Sequence, residues 1–146
     1  MRIYPPHIFA LSLIAIGLLA WFLPVAPIVS GPFRMLGIIP VITGLIIAIW
    51  PSILYKRRKN PILPDATPQV LILDGPFRFT RNPMYLGMVL VLLGVAIMSG
   101  SVTPYLVLPV FVLVITRRYI RMEEANLTRQ FGDDYLAYTK RVRRWI

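Results

Sequence analysis

The sequence has no cysteine, a single histidine at His7, and charged side chains at only 15% of its 146 positions. Without cysteine the chain forms no disulfide and offers no thiolate metal ligand or thiol nucleophile. One histidine at the start of a hydrophobic segment is typical of an interfacial residue and argues against a His-based metal centre or catalytic triad. We therefore expect no metal cofactor. The charge content also falls well below the roughly one quarter that is typical of soluble domains.

Apolar residues are abundant and occur in long blocks without charge. They make up 57% of the chain, whose mean hydropathy is +0.69. Blocks of this length predict helices that cross a bilayer rather than the short stripes that line a water-facing core. The expected fold is therefore all-α: a polytopic membrane protein with about four transmembrane helices plus a C-terminal amphipathic cytoplasmic helix.

The bounds of these segments follow from the places where charge, proline and glycine interrupt the blocks. A break at Ser99-Gly100 divides the third block into a helical hairpin, because that block is too long for one crossing. Gly132 predicts an interruption in the last helix. The first block is expected to be a retained span, since it has neither a basic region beyond Arg2 nor the cleavage site of a signal peptide. The single domain, residues 1–146, then has spans at about 8–23, 35–54, 84–98 and 105–118, a cytoplasmic loop at 56–83 and a cytoplasmic helix at about 119–142.

The net charge of +10 lies on one side of the expected membrane. With both termini in the cytoplasm, every one of the 16 basic residues except Arg34 is in a cytoplasmic segment, as the positive-inside rule favours. All 6 acidic residues are there too. We expect an integral membrane protein, in the inner membrane if prokaryotic, whose polar chemistry faces the cytoplasm. Charges that flank apolar blocks favour membrane lipids as partners and not nucleic acid.

Two polar constellations lie in those cytoplasmic segments. The first is the loop-to-helix junction at residues 74–87, where Pro83 starts a helix and leaves free N–H groups beside Arg81, which suits an anionic group. The second is the pair Glu123-Glu124, which lies among arginines. Each also has a plain structural interpretation, as a positive-inside anchor and as surface ion pairs worth roughly a few tenths of a kcal/mol. Both are expected at the ends of neighbouring spans, where they can converge on one pocket.

Four short motifs occur in the second half of the chain. They are Gly75-Pro76-Phe77-Arg78, Arg81-Asn82-Pro83-Met84-Tyr85-Leu86-Gly87, Glu123-Glu124 with Leu127, and Phe131-Gly132-Asp133-Asp134-Tyr135 with Tyr138. In order and spacing they resemble the isoprenylcysteine carboxyl methyltransferases and their bacterial, archaeal and phospholipid N-methyltransferase relatives, over residues 71–146. Asn82 is a departure, because many relatives have histidine there and asparagine does not titrate near neutral pH. An acid–base role at this position is therefore not expected.

The resemblance implies an enzyme that uses S-adenosylmethionine and methylates a lipophilic acceptor in the membrane, an isoprenylcysteine-like carboxylate or a phospholipid amine. By the same resemblance, Arg81 and the helix start at Pro83 receive the cofactor carboxylate. Glu123 or Glu124 takes its ribose hydroxyls or ammonium, and Tyr85 lies near the adenosine or the sulfonium. The implied catalytic residues are Arg81, Tyr85 and Glu123. The implied cofactor-binding residues are Leu73, Gly75, Arg78, Arg81, Asn82, Pro83, Tyr85, Gly87, Glu123 and Glu124.

Two other functions stay open from the sequence alone. One is a small transporter, which four short spans could form as a dimer. Such transporters usually have an ionisable residue inside the membrane for coupling, and none is expected within these spans. A non-catalytic scaffold that holds anionic lipid with its basic tail leaves the combined motifs unexplained. The sequence does not indicate an oligomeric state.

Overall fold

The computed structural model describes residues 3–61 and 68–146. Within these residues the chain forms helices and turns but no β-strand, so the expected all-α class is confirmed. The helices are α1 (Pro5–Phe22), α2 (Ile38–Arg57), α3 (Pro83–Ser99), α4 (Val107–Ile115) and α5 (Arg121–Arg141). A π-helical turn, Thr116–Ile120, joins α4 to α5, so that one helical rod extends over Thr103–Arg141.

The tetrapeptide Gly-Pro-Phe-Arg occurs twice, and each copy forms a 3-10 turn. One copy opens the turn Gly31–Gly37 that leads into α2, and the other forms the turn Gly75–Arg78 before α3. The first glycine has a φ of 55° in one copy and 62° in the other, a region that favours glycine, and proline follows at the first helical positions. The two segments therefore share a way of starting a helix.

Within the described residues, three helical segments are long and apolar enough to cross a membrane: Pro5–Phe22, Gly31–Arg57 and Thr103–Arg141. Helix α3, with 17 residues, is shorter but carries no charge. Large apolar side chains are exposed on α1 and α2, where lipid can solvate them. They are Leu11, Ile14, Leu18, Ile39, Ile42, Ile46 and Ile49. The polytopic helical architecture is thus as expected, whereas the side of the membrane on which each terminus lies stays a prediction.

The core forms where α1, α3 and the α4–α5 rod meet. Ile16 of α1, Leu92 of α3 and Phe111 of α4 are almost fully buried in one cluster. Tyr85 and Tyr119 belong to the same cluster, and the Tyr119 hydroxyl donates a hydrogen bond to the Ile3 carbonyl at 2.6 Å. Because Tyr119 is buried inside the protein, its hydroxyl requires an internal acceptor. This packing fixes the first turns of α3 beside the start of α5.

Helices α2 and α3 approach so closely that only glycine fits at their contact. A Cβ added at Gly44 would lie 2.6 Å from the Gly87 carbonyl oxygen, and one added at Gly87 would lie 2.6 Å from the Ala48 nitrogen. Small residues permit this kind of backbone approach between membrane helices, where van der Waals contact replaces the hydrophobic effect as the cause of association. The α2–α3 contact therefore depends on paired glycines.

We predict that Gly44→Ala lowers the free energy of unfolding by about 1–3 kcal/mol, because the new methyl group overpacks the contact with α3. The measurement is the thermal unfolding midpoint of the detergent-solubilised protein. Gly17→Ala is the matched control, since a Cβ at Gly17 meets no atom within 4 Å. That change should leave the midpoint unaltered or raise it slightly. Equal losses from the two substitutions would contradict the role assigned to the α2–α3 contact.

Candidate functional site

A cavity lies at the end of the helices where α2 ends, α3 starts and α5 begins. Its wall comes from the end of α2, the segment that leads into α3, and α5. The lining residues are Tyr55, Pro68, Val70, Leu71, Ile72, Phe77, Arg81, Asn82, Glu123, Glu124, Leu127, Tyr135 and Tyr138. The cavity has a volume of about 50 Å³. One or two water molecules, at roughly 30 Å³ each, would fill it.

One asparagine holds the wall of the cavity beside α2. The Asn60 side chain donates to the Val70 carbonyl at 2.6 Å and accepts from the backbone N–H groups of Gln69 and Val70, both at 2.9 Å. Asn60 is itself buried and follows Lys59, which has a φ of 55°. These bonds turn the chain back onto α2, so that Ile72 reaches the cavity as a buried wall residue.

Residues 142–146, here called the return segment, fold back from α5 onto the start of α3. The backbone N–H of Arg81 donates to the Arg143 carbonyl at 3.0 Å. The Arg144 carbonyl accepts two further bonds, from the Thr80 hydroxyl at 3.2 Å and from the Asn82 side chain at 2.9 Å. Trp145 packs against the core cluster. The return segment therefore ties the two ends of the second half of the chain together.

Arg81 brings a largely buried positive charge to the cavity wall. One of its terminal nitrogens lies 3.3 Å from Oε1 of Glu124, and only 14% of its side chain is exposed. Its Nε is buried and has no hydrogen-bond partner among residues 3–61 and 68–146. A buried donor without an acceptor is costly, by about 1–3 kcal/mol. Arg81 is thus suited to an anionic group that would supply the missing acceptor.

Glu124 is held by two arginines. Arg144 donates from Nε to Oε1 at 3.0 Å and from a terminal nitrogen to Oε2 at 2.6 Å, the two-bond geometry that gives the strongest arginine–carboxylate pairs. Arg81 reaches only Oε1. Because just 16% of the Glu124 side chain is exposed, its charge needs this compensation.

Glu123 has no arginine partner among the described residues and is stabilised in a different way. The hydroxyl of Tyr85, whose ring is buried in the core, donates a hydrogen bond to Oε1 of Glu123. Glu123 lies beyond the apolar part of its helix. Burial of its carboxyl raises the pKa to about 7. The Tyr85 bond opposes that rise, and the neighbouring Glu124 charge adds to it. Adjacent glutamates in one helix thus have two distinct environments.

A kink at Gly132 aims two tyrosines of α5 at the cavity. Gly132 has φ 51° and ψ −125° inside the helix, so the interruption predicted there is confirmed. Beyond the kink, the Tyr138 hydroxyl donates to the Phe77 carbonyl at 2.7 Å and fastens α5 to the turn before α3. Burial raises the pKa of Tyr135 to about 12, the Glu124 charge adds to the rise, and Arg81 opposes it. Both tyrosines are therefore neutral hydrogen-bonding groups near pH 7.

Four residues of the expected cofactor site line the cavity: Arg81, Asn82, Glu123 and Glu124. Tyr85 lies behind the wall and is connected to it through Glu123. The structure thus brings the two constellations expected at the ends of neighbouring spans into one site. Their roles toward a cofactor stay predictions.

The other expected residues lie outside the cavity wall. Pro83 is fully buried as the first residue of α3, and Gly75 and Gly87 pack closely against α2. Arg78 is exposed, and Leu73 is half-buried. The close packing of Gly87 against α2 and the positive φ of Gly75 explain their residue types without any ligand.

Several residues that take part in the site were not among the predicted site residues, and Tyr55 and Arg144 are two of them. Tyr55 lines the cavity from the end of α2, where an aromatic residue by itself indicates no more than a membrane interface. Arg144 belongs to a basic run that suggests an interfacial anchor, yet its guanidinium pairs with Glu124. Arg144 reaches Glu124 because the chain folds back after α5, and no local sequence pattern predicts that reversal.

Fold and site together define an all-helical integral membrane protein with a buried, charged cavity at one end of its helices. The model of the phospholipid methyltransferase family matches residues 32–134, more than half of the chain. The chain belongs to this family, and it is a membrane methyltransferase of the type that includes the isoprenylcysteine O-methyltransferases. The family expected from the sequence motifs is thereby confirmed.

Two similar proteins support the assignment. The chain is 40% identical over 63 residues to an uncharacterized protein of Haemophilus influenzae. This match covers 43% of the chain and all of the H. influenzae protein. It is 32% identical over 87 residues, or 60% of its length, to a protein-S-isoprenylcysteine O-methyltransferase of Schizosaccharomyces pombe. That match spans 34% of the fission yeast enzyme, so the chain corresponds to about a third of it.

We predict that Glu123→Gln stabilises the protein at high pH. The pKa of Glu123 is about 7 in the fold and 4.5 for an ordinary glutamate, so the folded chain retains a proton that the unfolded chain releases between those values. Its stabilising contribution is therefore fully present below the unfolded pKa and is lost as pH rises through the folded pKa. At about pH 8 the substitution should raise the free energy of unfolding by about 1–3 kcal/mol.

The check is a series of thermal midpoints between about pH 5 and about pH 8, where the variant should show a flatter profile than the wild type. Asp134→Asn is the control, because Asp134 is an exposed acid on the same helix. An equal gain from Glu123→Gln at both ends of the pH range would contradict the prediction.

Proposed function

We propose that this protein transfers a methyl group from S-adenosylmethionine to a lipophilic, membrane-embedded acceptor at the cytoplasmic face of the membrane. The observation that carries the proposal is the buried Nε of Arg81, which has no acceptor among the described residues, in a cavity wall that also contains Glu123 and Glu124. A zwitterionic ligand with a carboxylate, an ammonium and a neighbouring positive centre matches that arrangement of charges.

The residues of the site fit such a cofactor in chemical type. Arg81 would hold the carboxylate, because a guanidinium group favours anions. Glu123 or Glu124 would face the ribose hydroxyls or the ammonium, since a carboxylate accepts several hydrogen bonds.

Methyl transfer does not require the protein to supply a nucleophile of its own. The cofactor, when bound, supplies a methyl carbon already activated by the adjacent positive sulfur. The residues of this chain have to align the acceptor and exclude water, and effective molarities for such alignment are large. A sequence without cysteine can therefore support the reaction, because the nucleophile belongs to the acceptor.

The acceptor is proposed to be a lipid-like carboxylate or amine. The family description names phospholipid methylation, and the printed name of the S. pombe relative names an isoprenylcysteine. An acceptor of this kind would reach the site sideways from the bilayer, because the site lies at the ends of helices whose outer faces are apolar. The basic residues around the same ends support a cytoplasmic orientation.

We predict that Arg81→Ala raises the dissociation constant for S-adenosylhomocysteine at least about tenfold, as loss of a charged hydrogen bond would. The double change Glu123→Ala/Glu124→Ala should weaken binding as well. Calorimetry on the detergent-solubilised protein measures both effects. Arg129→Ala is the matched control, because Arg129 is exposed on α5 and should leave binding unchanged.

A transfer experiment tests the reaction itself. Wild-type protein in vesicles made from total lipid extract is supplied with methyl-labelled S-adenosylmethionine, and label is expected in the organic phase. Alkaline hydrolysis then separates the two acceptor classes, because methyl esters release volatile methanol whereas N-methyl groups do not. Absence of cofactor binding by the wild type at millimolar concentration, together with absence of labelled lipid, would overturn the proposed function.

A further inference from the structure

None of the expected contacts with the cofactor involves the return segment. It contributes no lining residue to the cavity, yet three hydrogen bonds hold its Arg143 and Arg144 carbonyls against the start of α3. Trp145 anchors it in the core cluster. Arg144 is therefore presented to the site by a fixed backbone and not as a freely moving surface side chain.

The guanidinium of Arg144 occupies both oxygens of Glu124. Its Nε lies 3.0 Å from Oε1 and one terminal nitrogen lies 2.6 Å from Oε2, whereas Arg81 has a single contact of 3.3 Å to Oε1. Since planar two-bond pairing is the preferred geometry of a carboxylate with arginine, a Glu124 without Arg144 would pair in that way with Arg81. Arg81 would then have fewer donors free for a ligand.

We propose that Arg144 is a positioning residue that keeps Arg81 available for the ligand carboxylate by holding Glu124 in a competing two-bond pair. The inference rests on the proposed function, because it concerns the ligand of the same site. The return segment would then affect cofactor affinity through Arg144, which does not line the cavity.

The charge arrangement explains why an arginine is needed at this point. Arg81 is 14% exposed and Glu124 is 16% exposed, so the two form a strongly coupled pair if left to themselves. Arg144, with 37% of its side chain exposed, is the more hydrated of the two cations and loses less solvation by pairing. The same carboxylate is thus neutralised from the solvent side, and the buried guanidinium retains its unpaired Nε.

The test compares Arg144→Ala with Arg143→Ala by calorimetry with S-adenosylhomocysteine. Arg143 is a matched control, because it is the exposed neighbour of the same type and its backbone carbonyl still accepts from Arg81 after the change. We expect Arg144→Ala to raise the dissociation constant about tenfold or more and Arg143→Ala to change it less than about twofold. Arg144→Lys should recover only part of the loss, since an ammonium group does not form the planar pair.

A second readout separates positioning from a purely structural role. Low millimolar guanidinium chloride should restore affinity to Arg144→Ala, because the free ion can occupy the vacated place on Glu124, while sodium chloride of equal ionic strength should not. Unchanged affinity in Arg144→Ala, or a loss that guanidinium fails to rescue, overturns the inference while the proposed function stands. Failure of the wild type itself to bind overturns both.

Discussion

The bilayer is the constraint on which this structure depends, because hydrocarbon offers no hydrogen-bond partner to a polar group. Charge-free helices cross it, and the helical rod Thr103–Arg141 changes from apolar to charged along its length. Arg81, Glu123 and Glu124 are therefore gathered at one end of the helices. The buried hydroxyl of Tyr119, nearer the core, finds an internal acceptor in the Ile3 carbonyl.

At that polar end, the two adjacent glutamates differ in their hydrogen-bond and ion-pair partners. Glu124 is paired with two guanidinium groups and has little exposure to solvent. Glu123 is paired with a neutral phenol, and its raised pKa makes its charge depend on pH near neutrality. Glutamates next to each other in sequence thus have different partners in the same cavity.

The family assignment and the geometry account for different parts of the chain. The family model covers residues 32–134 and so includes the α2–α3 contact, the junction before α3 and the Glu123-Glu124 pair. The return segment lies beyond it, yet its carbonyls hold the same junction and Arg144 pairs with Glu124. A site of this family can therefore depend on residues outside the part that identifies it.

The sequence by itself determined the class of the protein: charge-free blocks specify an all-α membrane fold, because backbone groups in lipid must pair within their own helix. Local chemistry also predicted the kink at Gly132 and the convergence of Arg81 with the Glu123-Glu124 pair on one end of the bundle. Only the tertiary structure decided that Tyr85 faces Glu123, that Arg144 pairs with Glu124, and that Gly87 serves packing. Those outcomes depend on side-chain directions and on a chain reversal between distant segments, and hydrophobic pattern and spacing do not encode either.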